Sequence, residues 1–206
     1  MAPLLHLSHA GGLMGKKKTS KRAAPKKRPI RNLRKNLYDE GDIVGLILND
    51  HKPLKTLIKT LKDTKEPYDE RRAAFEDFAK LLTVHALAEE QVLYTDLMRK
   101  RAIGLREETY EASTEHAIAR DMIERTRVAE EDDRQVWTAN AKVLAEMVEH
   151  HLKKEEKTFL KDFEKSTSID ERFSLGHEYL ARKAELEDSD DIPEDHFYTY
   201  SRSLAQ

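Results

Sequence analysis

The chain has 206 residues, enough for one domain with tails, of which 37% are charged and 38% hydrophobic. It has no cysteine, which excludes disulfides, thiolate metal sites, cysteine-ligated iron–sulfur clusters and a cysteine nucleophile. The net charge of −2 conceals an asymmetry. Residues 1–38 contain no Asp or Glu and eleven of the 37 basic residues, so the rest of the chain sets 26 basic against 39 acidic residues.

Residues 1–38 read as a disordered basic tail, in which Lys/Arg clusters between Lys16 and Lys35 are broken by Pro25 and Pro29 without an apolar period. Met1–Gly15 lacks the leading basic region of a secretory signal, and no apolar run reaches the length of a membrane span. A cytoplasmic location is therefore expected. The arm has two readings: it solubilises the chain, or residues 16–35 contact nucleic acid or another anionic surface nonspecifically. No aromatic residue precedes Tyr38, so base stacking is not expected. The readings differ in whether removing residues 1–36 abolishes salt-dependent DNA binding.

From Asp39 to about Ser166 the pattern is helical. Asp39 or Asp42 can cap a first helix with the stripe Ile43, Ile47, His51, Leu54, Ile58 and Leu61. Pro53 lacks an amide donor, so a kink or restart is expected beside His51. A second helix runs from about Glu70 to Lys100 on Phe75, Phe78, Leu82, His85, Glu89, Leu93 and Leu97. Gly104 marks the next turn. A third helix, about Glu107–Arg127, carries Ala112, His116, Ala119 and Ile123 on one face. The acidic stretch Glu130–Asp133 is expected to form a turn and cap a fourth helix, about Arg134–Lys165, with Trp137, Ala141, Leu144, Val148, His151, Glu155 and Phe159 inward. Short connections predict an all-α fold, an antiparallel up-down four-helix bundle over residues 39–166. Residues 167–206 are expected to add a short helix, about Asp170–Leu186, and a tail.

The chemistry lies on those stripes. His85 and Glu89 are four residues apart, as are His151 and Glu155, so each pair shares one helix face. His51 precedes the first pair by 34 residues and His116 precedes the second by 35. The halves of the chain therefore repeat, and Phe78, Leu82, His85, Glu89 and Leu93 align with Leu144, Val148, His151, Glu155 and Phe159. Six such polar groups on apolar stripes are costly to bury unless paired or bound to metal. Four imidazoles and two carboxylates without thiolate suit iron, manganese or zinc. Glu90 and Glu156 follow the paired carboxylates directly and read as solvated groups or as supports of the ligands, and His150 reads as a supporting or flanking residue.

The segments Asn49-Asp50-His51-Lys52-Pro53, His85 to Glu89, Glu115-His116 and His150 to Glu155 resemble the hemerythrin-like, or HHE cation-binding, family over about Gly41–Lys165. The resemblance implies a four-helix bundle and a non-haem di-iron centre. Its iron ligands would be His51, His85, Glu89, His116, His151 and Glu155, with the two Glu as bridges. It also implies a small gaseous or peroxide ligand: dioxygen, nitric oxide or peroxide. Oxygen carriers of the family have a second histidine on the third helix at the position of Arg120. They also separate the fourth-helix His and carboxylate by five residues, where His151 and Glu155 are four apart. These departures point away from simple oxygen carriage and toward a reactive or sensing site. A carrier, a sensor and a peroxidase or nitric oxide reductase all remain open readings.

Overall fold

The computed structural model describes residues 41–100 and 104–189, and among them every regular element is helical. The basic arm and the C-terminal residues from 190 onward lie outside the described residues. Helix α1 is Ile43–Lys62. Helix α2 is Tyr68–Ala88, continued through a π-helical segment Glu89–Tyr94 into Thr95–Arg99. Helix α3 is Arg106–Asp132. Helix α4 is Arg134–Lys154, continued through a π-helical segment Glu155–Phe159 into Leu160–Ser166. Helix α5 is Ile169–Glu187.

The helix starts follow from side chains. Asp42 caps α1 by accepting from the Val44 amide at 2.9 Å. Ser168 caps α5 by accepting from Glu171. Two expectations are corrected. Pro53 does not restart α1, because Leu54, Ile58 and Leu61 stay buried on the same stripe as Ile43 and Ile47 and hold residues 43–62 as one helix. The stretch Glu130–Asp133 is not a turn, since α3 runs through Asp132. The break is Asp133 alone, with φ −154° and ψ 107°, and its carboxylate accepts from Gln135 and Val136 to start α4. One extended residue suffices because the same Asp ends one helix and caps the next.

Helix α1 packs against α2 and α4, and α3 packs against α4. The interior has two apolar clusters. One gathers Ile47, Leu87, Tyr94, Phe159, Phe163 and Tyr179. The other gathers Leu54, Phe78, Leu82, Ala119, Trp137 and Val148. On α1, His51 falls between Ile47 and Leu54; on α2, His85 falls between Leu82 and Leu87. On α3, His116 falls between Ala112 and Ala119, and on α4 His151 falls between Val148 and Phe159. A polar layer thus divides the core at one level.

Helix α5 lies against α1 and α2. Arg172 donates to Asp42 at 2.7 Å in a buried ion pair and also to the Thr167 and Glu164 carbonyls. Gly176 sits over the start of α1 so closely that a Cβ there would stand 1.9 Å from the Gly41 carbonyl oxygen. Gly41 itself has φ 107°. Gly176→Ala must therefore push α5 off α1 and cost about 1–3 kcal/mol. Urea unfolding is expected to show this loss, with little change for Gly104→Ala, whose Cβ meets nothing within 4 Å. Equal midpoints for the two variants would contradict this packing.

Candidate metal centre

All six residues singled out in the sequence reach the polar layer. His51, His85 and Glu89 are 0% exposed, His116 is 2%, Glu155 3% and His151 4%. Ligand atoms of His51, His85, Glu89 and Glu155 lie within 4.8 Å of one another, as do those of Glu89, His116 and His151. Glu89 belongs to both groups. Its Oε2 is 3.5 Å from His85 Nε2 and 3.6 Å from His116 Nε2. Glu155 is placed similarly, with Oε2 3.3 Å from His51 Nε2 and 3.8 Å from His151 Nε2. Each carboxylate therefore stands between one imidazole of each half.

The outer nitrogens are tied down. His51 Nδ1 donates to Glu156 at 2.8 Å, His116 Nδ1 to Glu90 at 3.1 Å and His151 Nδ1 to Glu115 at 2.7 Å. His85 Nδ1 donates to the Tyr179 hydroxyl at 3.1 Å, which donates to Asp50 at 2.7 Å. A hydrogen on Nδ1 leaves the Nε2 lone pair for a cation and fixes the ring plane. Basic residues hold the outer carboxylates in turn: Lys55 on Glu156, Arg120 on Glu90 and Lys183 on Asp50. Arg120 thus supports His116 through Glu90.

Facing the centre, His51 Nε2, His85 Nε2, Glu89 Oε1 and both Glu155 oxygens have no hydrogen-bond partner. The Nε2 atoms of His116 and His151 face each other at 3.1 Å. Buried polar atoms left unpaired in this way are costly. Converging nitrogen and carboxylate oxygen atoms form a donor set that fits metal cations.

The π-helical segments begin at Glu89 and Glu155 themselves. Thr95 donates its amide to the Glu90 carbonyl, and Leu160 to that of Glu155, each spanning five residues. The extra residue turns Tyr94 inward. Its ring stacks on His116 at 5.7 Å and 18°, and its hydroxyl reaches Glu89 at 3.4 Å. Phe159 from the other π segment meets Tyr94 edge-on.

A family model for the hemerythrin HHE cation-binding domain matches residues 42–162. The chain belongs to that family. No curated protein and no solved structure matches the chain. The matched residues end before α5, so Tyr179, which holds His85, comes to the hemerythrin-like domain from outside the matched region.

Sequence reasoning missed Tyr94 and Tyr179, and it gave no role to Asp50 and Glu115, which stand in the segments that carry the family resemblance. Asp50 and Glu115 each precede a leading histidine, and that repeated acid–histidine pair was a usable signal. Tyr179 had none, since its role depends on where α5 docks. His150 is exposed and belongs to neither ligand group.

Without a cation the electrostatics conflict. Burial and the adjacent Glu155 carboxylate push Glu89 well above the usual carboxylate range. Burial alone would lower the His51 pKa, but the Glu155 carboxylate 3.3 Å away and the hydrogen bond to Glu156 outweigh it and raise it to about 9. Burial lowers His85 to about 4, against the pull of Asp50. In the metal-free domain His51 thus holds a proton at neutral pH and Glu89 gives up its own less readily than a free carboxyl, so a cation must displace protons to bind. Metal affinity should therefore rise from about pH 6 to about pH 9, with protons released on loading. In the metal-free protein the sign reverses. The stability His51 contributes is full below about pH 6.5 and is lost as pH rises through about 9. Metal titration in weakly buffered solution tests this, and an affinity flat across that range would contradict it.

Proposed function

We propose that His51, His85, Glu89, His116, His151 and Glu155 hold two iron ions, and that the protein binds or reacts with a small oxidant: dioxygen, nitric oxide or peroxide. Glu89 and Glu155 would be shared between the ions, and His51 and His85 would complete one position and His116 and His151 the other. Oxygen sensing, oxygen storage or a stress response would use such a centre. The observation that carries this reading is the set of buried, unpartnered imidazole and carboxylate atoms aimed at one another across the core. Family membership supports it.

The choice of iron rests on ligand chemistry. Two neutral imidazoles at each position, with only two carboxylates shared, keep a ferrous state accessible, while the carboxylates stabilise the ferric one. Bound iron would supply the change of oxidation state and a coordination position for the ligand. The chain's own residues do the rest. Glu156, Glu90, Glu115 and the Tyr179–Asp50 pair orient the imidazoles. Phe75, Phe78, Leu87 and Phe163, in the apolar clusters on the two sides, exclude water. The short connections between α1, α2, α3 and α4 support an antiparallel up-down order of the helices that carry the ligands. The same geometry would serve a peroxidase or a nitric oxide reductase, and turnover assays separate these from a sensor or carrier.

Purified protein is expected to carry about two irons per chain, the number such bundle sites hold. His85→Ala and Glu155→Ala are each expected to bring this to about one or fewer and to lower the melting temperature of the iron-loaded protein, because metal binding and folding are coupled. Iron content by elemental analysis and melting by circular dichroism check both. Protein that takes up no iron, or keeps full iron in both variants, would refute the reading.

A further inference from the structure

Three of the four central imidazoles are held through Nδ1 by carboxylates of the bundle itself: Glu90 on α2, Glu115 on α3 and Glu156 on α4. His85 is held differently. Its Nδ1 is 3.7 Å from Asp50, too far for a hydrogen bond, and the Tyr179 hydroxyl of α5 bridges the gap. That hydroxyl has one hydrogen, which goes to Asp50 at 2.7 Å, so the hydrogen in its 3.1 Å contact with His85 comes from the imidazole. The His85 Nε2 lone pair is thereby left for a cation.

The place of Tyr179 is set by the docking of α5. Arg172, Gly176, Tyr179 and Lys183 follow one another at steps of four, three and four, so they share one face of that helix. Arg172 pairs with Asp42, Gly176 lies on Gly41, and Lys183 holds the second Asp50 oxygen at 2.6 Å. Beside that face, Arg182 donates to Gln91 within the π segment that begins at Glu89. One docked surface therefore runs from the start of α1 to the centre. The carboxylates that hold His116 and His151 sit on α2 and α3, and their contacts do not involve α5. A cation among His51, His85, Glu89 and Glu155 gains from a docked α5, and by linkage it stabilises that docking in return.

We infer that Tyr179 is a positioning residue for one of the two metal positions, so that the docking of α5 sets how firmly the His51/His85 position keeps its ion and leaves the His116/His151 position unaffected. The inference rests on the di-iron reading above. It adds to that reading a helix beyond the matched family region that controls retention at one position. Tyr179→Phe keeps the buried ring and removes only the hydroxyl. Glu115→Ala frees His151 instead and serves as the comparison.

The test uses the full chain loaded with ferrous iron in the absence of air. Release to a coloured ferrous chelator is followed in time, with iron content and helicity measured on each sample. Tyr179→Phe is expected to release one of its two irons about tenfold faster or more, as loss of a group holding a metal-bound histidine does, and the other at the parent rate. Glu115→Ala is expected to speed one iron as well, and the double variant to speed both. Hydrogen exchange supplies a second readout: amides of α5 are expected to exchange more slowly once the parent is loaded, and to gain less protection in Tyr179→Phe. Should Tyr179→Phe not fold, Lys183→Met, which releases Asp50 from the same helix, decides on both readouts. Parent-like release, equal acceleration of both irons by Tyr179→Phe, a double variant that speeds only one iron, or α5 exchange indifferent to iron would overturn the inference and leave the di-iron reading standing. A parent that takes up no iron would overturn both.

Discussion

Glu89 and Glu155 are two carboxylates buried in the middle of a helical core, each standing between two of the four imidazoles. Burying one carboxylate in apolar surroundings is costly, and burying two side by side adds their mutual repulsion. The surrounding structure is arranged around that constraint. The imidazoles supply the nearest compensation, and outer carboxylates orient those rings. Lys55, Arg120 and Lys183 then hold outer carboxylates in place. The chain of alternating partners runs from the centre to the surface. A pair of dications there would remove the conflict that pushes Glu89 toward its protonated form and leaves His51 charged in the metal-free protein.

The arrangement is built twice. Asp50-His51 on α1 corresponds to Glu115-His116 on α3. His85, Glu89 and Glu90 on α2 correspond to His151, Glu155 and Glu156 on α4. The hydrogen bonds follow the same exchange: Glu156 holds His51 as Glu90 holds His116, and Asp50 serves His85 as Glu115 serves His151. Each half of the chain thus helps position the imidazoles of the other. Helix α5 breaks the symmetry by adding Tyr179 to His85.

Much of this was legible in the sequence because helix period and burial coincide. All six central residues sit on apolar stripes, so the 3.6-residue repeat alone turns them inward. The π-helical segments were not read, although a trace of them is present. His85, Glu89, Leu93 and Leu97 follow in three consecutive steps of four. An ordinary helix would carry such a run about a third of a turn off its stripe, and a wider turn brings it back. Glu155 lies in a shorter run of the same kind, His151 to Phe159. Helix ends were less legible, because Asp133 alone does the work expected of four residues. Tyr179 could not be placed from spacing, since it reaches His85 only by the docking of α5 through Arg172 and Gly176.

The central claim is that the two carboxylates are shared between two iron positions. Anomalous diffraction from crystals of the iron-loaded protein, recorded on both sides of the iron absorption edge, tests it most directly. The account predicts two iron peaks, one among His51, His85, Glu89 and Glu155 and the other among Glu89, Glu155, His116 and His151. A single peak, or iron bound elsewhere with the six side chains still facing one another, would contradict it.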